Sequence, residues 1–462
     1  TLSEVDAALP GTQTSGGNSS TEGLQSYIGR VNYTAFSKYL FEANFRVDGS
    51  SKFLQGNQFG FFPSAAVGWR ISEENFFKNW SQQVITSAKA RVSYGSLGNN
   101  SGVGRYEQQP TLAPNLYIYN NSITRGFVNN KMINTSLSWE NNTVFNTGLD
   151  LGFFNNRLTV TLDYYDRLTT GMNRPSEFSI LLSGAYSPPP RRNIGNLRNR
   201  GIEGDFSWKD RVGKFNYGLS VNASYNKTTL EKWNEFLGRG NTFIGLPYGF
   251  VYTYEDIGIA QTWQDVYNAT PQGAQPGDIL RKDLNGDGRI DGNDQKAMPN
   301  AQRSRPTTYF AFNGYAAFKG FDLAFMFQGS AGRKDYWINA FNNVNFNPSR
   351  YATSWNHWNL PWSVENRDGG WPRIGGSGNN QTTTSFWLDD LSYLRVKNVQ
   401  IGYTIAPSLL KRIGVKSLRI AGSAENLATI TSFRGLDPEK GGNNNNMYPL
   451  NKSYAVAINL GF

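Results

Sequence analysis

The chain has 462 residues, and its 45 Lys+Arg and 35 Asp+Glu give a formal net charge of +10. This length corresponds to two or three ordinary soluble domains or to one large barrel. Because the sequence has no cysteine, disulfides, thiolate metal sites and a cysteine nucleophile are excluded. The charges are scattered and form no basic helix or basic-aromatic patch, which argues against nucleic acid as a partner.

The dominant pattern in the sequence is a two-residue period that gives each strand one apolar and one polar face. It is clearest at the C-terminus, where Tyr454, Val456, Ile458, Leu460 and Phe462 alternate with Ala, Asn and Gly. No stretch approaches the roughly 18 apolar residues of a membrane helix. Two-faced strands of about ten residues, repeated many times, are typical of a transmembrane antiparallel β-barrel. A soluble β-protein with an aromatic core is the alternative interpretation.

Thirteen strands are predicted from this alternation. In chain order they cover about 24–35, 39–47, 62–71, 88–97, 142–153, 158–167, 200–208, 215–227, 307–318, 321–328, 393–405, 417–427 and 454–462.

The connections between these strands alternate in length. Tight turns join 35 to 39, 153 to 158, 208 to 215 and 318 to 321, and the other connections are mostly long and rich in Gly, Asn, Pro and Trp. Outer-membrane barrels have short periplasmic turns and long external loops, so the count places the C-terminus in the periplasm. One long connection, 72–87, lies on the side of the sheet that otherwise has tight turns, and it is expected to contain a small helix. Since bacterial single-chain barrels have even strand numbers, thirteen strands indicate either a further strand within residues 1–23 or the C-terminal part of a larger barrel.

Several short motifs resemble the SusC/RagA-type TonB-dependent outer-membrane transporters. They recur in order along the chain: 26–33 (SYIGRVNY), 46–53 (RVDGSSKF), 61–74 (FFPSAAVGWRISEE), 195–203 (GNLRNRGIE), 283–288 (DLNGDG), and 321–323 (FDL) followed by 327–329 (FQG). The resemblance implies an all-β fold, a 22-stranded barrel of which this chain supplies the C-terminal strands. Residues 1–23 are then an external loop or linker, 24–462 are the C-terminal part of the barrel, and the plug and early strands are absent.

The same resemblance implies TonB-dependent active import of a bulky nutrient across the outer membrane of a Gram-negative bacterium. Expected partners are a SusD-like surface lipoprotein acting as a lid, a TonB complex reached through the missing N-terminal part, outer-membrane lipid, and an oligosaccharide or peptide substrate. The alternative function is that of a Ca²⁺-dependent surface or secreted β-rich binding protein, such as an adhesin or lectin. No catalytic role is expected, because His357 is the only histidine and no nucleophile elbow accompanies it.

One loop has the spacing of a twelve-residue Ca²⁺ site, D-x-N-x-D-G-x-I-D-x-x-D, which starts at Asp283. The predicted donors are side-chain oxygens at positions 1, 3, 5, 9 and 12 and a backbone carbonyl at position 7, with Gly at position 6 for the sharp turn. These donors are Asp283, Asn285, Asp287, Arg289, Asp291 and Asp294. The alternative is an Asx-rich turn without metal, and bound Ca²⁺ in a structural role is the preferred prediction.

A second loop concentrates aromatic residues that suit the faces of sugar rings. The candidate ligand-contacting residues are Trp355, His357, Trp358, Trp362 and Trp371. The alternative is that these rings pack the loop down or contact the lid protein. Charged residues on the polar faces of the strands are expected to line the lumen, without an assigned binding role: Arg30, Arg46, Arg70, Arg91, Asp150, Asp163, Arg167, Glu203 and Asp205.

Overall fold

The computed structural model describes most of the chain. The described residues are 19–81, 84–129, 131–176, 189–233, 244–303, 305–336, 361–374, 378–410, 414–441, 448 and 450–462. They form two compact units, the first comprising Thr1–Asn155, Thr161–Ile202 and Thr228–Leu237, and the second Asn156–Val160, Glu203–Lys227 and Gly238–Phe462.

The described residues contain twenty-one strands. These are β1 (Leu24–Ala35), β2 (Tyr39–Ser50), β3 (Phe59–Arg70), β4 (Ile85–Asn99), β5 (Leu112–Tyr119), β6 (Ser122–Asn129), β7 (Glu140–Phe153), β8 (Leu158–Pro175), β9 (Arg191–Val212), β10 (Phe215–Trp233), β11 (Phe250–Tyr254), β12 (Asp256–Ile259), β13 (Ile279–Arg281), β14 (Gln295–Gln302), β15 (Thr308–Phe318), β16 (Phe321–Ala331), β17 (Lys334–Tyr336), β18 (Leu388–Asp390), β19 (Tyr393–Thr404), β20 (Ser417–Thr431) and β21 (Ser453–Gly461).

Thirteen of these strands form one antiparallel sheet, as the sequence predicts. Its hydrogen-bonded order follows the chain: β1, β2, β3, β4, β7, β8, β9, β10, β15, β16, β19, β20 and β21. Each predicted strand corresponds to one strand of this sheet, and several are longer than predicted. The extensions in β8, β9 and β10 are rich in Asn, Arg, Thr and Lys. Because an extension without alternating apolar residues carries no period-2 signal, the prediction stops short of the true strand ends.

The tight turns have the backbone geometry that right-twisted hairpins need. Between β1 and β2, Phe36 and Ser37 have φ of 51° and 59°, and the Lys38 N–H donates to the Ala35 carbonyl at 3.0 Å. Lys319 and Gly320, between β15 and β16, have φ of 47° and 94°. Positive φ at both central residues is the signature of the type I′ turn, which matches the twist of the flanking strands. These turns set the register and therefore decide which side chains share a face.

One face of the sheet is apolar and exposed within each unit. In the first unit, Tyr39, Phe41 and Phe45 of β2 are 46–49% exposed. In the second unit, Tyr454 and Val456 of β21 are 70% and 79% exposed. Apolar side chains that alternate with polar ones on long strands form the lipid-facing band of outer-membrane barrels.

The remaining structure lies in the connections, where sequence periodicity is weak. The two-stranded sheets pair β5 with β6, β11 with β14, β12 with β13 and β17 with β18, and these eight strands were not predicted. The short α-helices cover Asn75–Ser81, Trp263–Asn268, Gly378–Gln381 and Pro407–Leu410. The first of them confirms the small helix expected in 72–87. None of the helices in the described part of the chain is long and apolar enough to cross a membrane.

The long connections of the second unit pack around hydrophobic clusters of their own. One cluster contains Ile279, Trp371, Trp387, Leu391 and Phe433, all at most 6% exposed. Its members come from segments about 150 residues apart in sequence, so these connections form a compact loop assembly. Residues 244–303, 361–374, 378–391 and 433 take part in this assembly.

Candidate functional sites

The Asp-rich loop between β13 and β14 is closed by hydrogen bonds between its own residues. The Asp283 carboxylate accepts the Gly286 N–H at 2.7 Å and the Gly288 N–H at 2.9 Å. The Asn285 side-chain oxygen accepts the Asp287 N–H at 3.0 Å. The two glycines have φ of 73° and 78°, which L-residues with a side chain rarely adopt. The predicted sharp turn at position 6 therefore forms at Gly288, and Gly286 adds a second positive-φ residue that was not predicted.

The far end of this loop is anchored by Asp294, which is fully buried. Its Oδ1 accepts the Leu284 N–H at 2.9 Å and its Oδ2 accepts the Asp291 N–H at 2.7 Å. Burial raises the pKa of the Asp294 carboxyl, but the backbone N–H donors lower it more, so the pKa lies below its usual value of 3.8. Asp291 caps the following turn through the Asn293 N–H, and Arg289 is exposed.

The oxygen donors of this loop suit a hard cation such as Ca²⁺. Across the described residues, however, no group of three or more His, Cys, Asp or Glu side chains is arranged to hold a metal ion. The carboxylates instead accept backbone N–H groups, which is the Asx-turn geometry of the alternative interpretation. Bound Ca²⁺ therefore stays a prediction.

The predicted aromatic loop is described only in part. Trp355, His357 and Trp358 lie outside the described residues. Trp371 is 3% exposed and belongs to the cluster around Trp387, with ring centroids 6.4 Å apart. Trp362 is 9% exposed, and its indole N–H donates to the Gln261 side chain at 2.8 Å. These two rings pack inside the loop assembly, so their faces are covered.

Charged residues on the polar face of the sheet pair with one another. In the first unit, the Arg91 guanidinium donates to both oxygens of Asp163 at 2.7 Å and to Asp150 at 3.1 and 3.2 Å. Arg30 pairs with Glu42 at 2.7 Å. Such forked contacts are the strong form of the ion pair, and they neutralise charge along the strands. The other predicted members are placed as follows: Arg46 pairs with Asp48 at 2.6 Å, Arg70 donates to the Ser37 carbonyl at 3.1 Å, and Arg167, Glu203 and Asp205 are exposed.

A cavity of about 460 Å³ lies on the polar face of the first unit, near the ends of β2, β3 and β4. Phe62 and Trp139 form an aromatic wall, with ring centroids 5.6 Å apart, and Arg46, Asp48 and Asn100 supply polar groups. Its volume lies in the range of small-ligand pockets. The sequence analysis missed this cavity, because Trp139 comes from a connection and no local pattern places it beside β3.

A buried arginine holds another connection onto the sheet of the second unit. Arg395 of β19 is 1% exposed and contacts the carboxylates of Asp437 and Glu439, at 2.8 Å for Asp437. Glu439 also accepts from the Tyr393 hydroxyl at 2.8 Å and from Gln328 at 2.9 Å. The sequence carries no signal for this contact, because Asp437 and Glu439 lie more than 40 residues from Arg395.

Comparison with known proteins identifies relatives that match 95% of this chain. No family model matches the chain. It is 30% identical over 471 residues to TonB-dependent receptor P3 of Formosa agariphila, covering 95% of this chain and 45% of that protein. It is 28% identical over 463 residues to TonB-dependent receptor SusC of Bacteroides thetaiotaomicron, covering 95% and 44%. The chain thus spans about half the length of the curated relatives it matches.

Solved structures show the same fold. The RagAB peptide transporter matches with a TM-score of 0.77 and 24% identity over 96% of this chain and 47% of that one. The RagAB peptide importer in its open-open state matches with a TM-score of 0.78 over 99% and 49%. These relatives are named as receptors and transporters, not as enzymes. The chain is therefore a relative of the SusC/RagA-type TonB-dependent receptors, and its thirteen-stranded sheet has the fold of their transmembrane β-barrels.

Proposed function

We propose that this chain is the C-terminal barrel part of a transporter that imports a bulky nutrient, an oligosaccharide or a peptide, across the outer membrane in a TonB-dependent manner. The observation that carries the proposal is the 30% identity to a TonB-dependent receptor over 95% of the chain. The exposed apolar face of the sheet supports a membrane location, and the polar face supports a water-filled passage.

The turn pattern supports a periplasmic C-terminus. The Lys416 N–H donates to the Gly461 carbonyl at 2.8 Å, so the end of β21 lies beside the start of β20. Strand alternation puts this end on the same side as the tight turn at Lys319. In outer-membrane barrels the short turns face the periplasm. The long connections, including the loop assembly, are then external.

A SusD-like surface lipoprotein is the proposed external partner. SusC is among the relatives, and the matching solved structures are of the RagAB transporter. Coupling to TonB would involve the half of the relatives that this sequence does not match. Affinity purification of the full-length protein from outer membranes, followed by mass spectrometry, tests the partner: recovery without a surface lipoprotein would contradict it.

Structural Ca²⁺ in the Asp-rich loop is part of the proposal. Asp283 and Asp287 are the first and third donors of the motif, and external Ca²⁺ at millimolar levels fills even a weak site. Calorimetry with CaCl₂ should give a saturable heat for the wild type that Asp283→Ala and Asp287→Ala abolish. Identical heats in all three proteins would contradict a site here.

Deletion of the gene in its native host tests the transport function. Growth on one class of polymeric nutrient should fail and return on complementation, and oligosaccharide and peptide media separate the two substrate classes. Undiminished growth on every such source would overturn the proposal. Heat-modifiable gel mobility separates a membrane barrel from the alternative, a Ca²⁺-dependent adhesin or lectin, because a soluble binding protein lacks the folded-barrel shift.

A further inference from the structure

Two arginines at the ends of β8 and β9 converge on one backbone oxygen. The Nη1 of Arg174 lies 3.3 Å from the Asn173 carbonyl oxygen, and the Nη1 of Arg191 lies 3.2 Å from the same atom. Because both nitrogens contact one oxygen, they are within about 6.5 Å of each other. Both side chains are half-buried, so two like charges are held together where water screens them only in part.

Neither arginine forms an ion pair within the part of the chain that the structure describes. The buried carboxylate nearby, Glu140, is engaged by other donors: its Oε1 accepts the Asn173 N–H at 2.7 Å and its Oε2 accepts from Asn99 at 2.8 Å. Further along β9 the situation differs, since the Arg198 guanidinium contacts two carboxylates. In contrast to Arg198, Arg174 and Arg191 lie side by side without a carboxylate partner among the described residues.

The backbone around the pair is held firmly. The Asn134 side chain donates to the Arg191 carbonyl at 2.9 Å. Asn193 donates to the Gly171 carbonyl and to the Asn173 side-chain oxygen, each at 2.8 Å. The two guanidinium groups are thus carried on strands that part-buried side-chain amide hydrogen bonds position, as a preorganised binding site requires.

We propose that Arg174 and Arg191 bind an oxyanion, a sulfate, phosphate or carboxylate group, supplied by a soluble ligand or by a lipid headgroup. Among the described residues each guanidinium donates one hydrogen bond, to the Asn173 carbonyl, and its planar fork matches two oxygens of such a group. An anion between the two cations removes their repulsion and forms charge-assisted hydrogen bonds to both. The site does not depend on the transport function, so the two proposals stand or fall separately.

Calorimetry on the full-length protein in detergent tests the site, with sodium sulfate and inorganic phosphate as probes and ionic strength held constant with sodium chloride. The wild type should show saturable binding. Arg174→Gln and Arg191→Gln should each weaken it about ten- to a hundredfold, because each removes a charge-assisted contact. The matched control is Arg157→Gln, at the opposite end of β8, since Arg157 already pairs with Asp210 at 3.3 Å and is largely exposed.

Absence of binding in the wild type, or equal binding in Arg174→Gln, Arg191→Gln and the control, would overturn the proposal. Repeating the titration in nanodiscs of anionic phospholipid distinguishes the sources. Unchanged sulfate binding there supports a soluble ligand, whereas competition by the phospholipid supports a headgroup. Retained heat-modifiable mobility in each variant shows that a loss of binding is not a loss of folding.

Discussion

Replacement of Arg395 by Gln should release the connection that follows β20. The Arg395 guanidinium is 1% exposed and contacts both Asp437 and Glu439, and its Nε donates to Thr429 at 2.9 Å. Glutamine keeps a polar side chain but removes the positive charge. The Asp437 carboxylate, which is 6% exposed, then loses the charge-assisted hydrogen bond from Arg395.

The expected cost is set by the charge that is left behind. Removing one partner of a buried ion pair costs about 3–5 kcal/mol, because a carboxylate stays desolvated without compensation. If the connection opens locally, this corresponds to roughly 10²–10⁴-fold faster amide hydrogen exchange at residues 437–440. Exchange measured by mass spectrometry on the folded transporter reports this opening without global unfolding.

Two further variants make the result specific to the buried pair. Arg419→Gln removes a pair with Asp322 whose side chains are 27% and 32% exposed, and it should change exchange much less. Combining Arg395→Gln with Asp437→Asn should recover part of the protection, because the buried negative charge that lost Arg395 is removed as well. Wild-type exchange at 437–440 in Arg395→Gln would refute the reasoning.

Three further predictions concern single sites. Gly314→Ala should lower the temperature midpoint of the heat-modifiable gel shift, because a Cβ there would lie 2.2 Å from a cross-strand phenylalanine ring, and such overpacking costs about 1–3 kcal/mol. The control Gly422→Ala should leave the midpoint unchanged, since a Cβ at Gly422 has nothing within 4 Å. Equal midpoints in the two variants would contradict the argument. Thr262→Ala removes a helix cap and should cost about 1 kcal/mol locally, seen as a changed ¹⁹F signal of fluorinated Trp263, whereas an unchanged signal would refute it. Backbone N–H donors hold the pKa of Asp265 below 3.8. The contribution of Asp265 to the stability of the same helix is therefore complete above pH 3.8 and is lost as the pH falls through the lowered pKa. A ¹⁹F signal of fluorinated Trp263 that stays constant down to strong acid would refute this.

The strands of the sheet were predictable because their signal is local. Alternation of apolar and polar residues needs only neighbouring positions, and turn pairs such as Lys319-Gly320 show where the chain reverses. All thirteen sheet strands were found in this way. Their outer ends were missed where Asn, Arg and Thr replace the alternation, as in β9 between Arg191 and Arg200.

The Asp-rich loop shows a different limit. Its spacing identified the turn at position 6 correctly, and Gly288 there has a φ of 78°. Spacing alone does not decide whether the carboxylates face an ion or backbone N–H groups, because both arrangements use the same Asx turns.

Contacts between distant segments were decided only by tertiary structure. The sequence allows two interpretations of Trp371 and Trp362, a ligand-contacting surface or rings that pack the loop down. In the structure both are buried, because segments far away in the chain cover them. Two other contacts likewise depend on tertiary structure that no local periodicity indicates. They are the pairing of Arg395 with Asp437 and the approach of Arg174 and Arg191 to one carbonyl. A strand pattern repeats every two residues and is therefore visible in the sequence. The packing of a connection is set by partners tens to hundreds of residues away, which become neighbours only when the chain has folded.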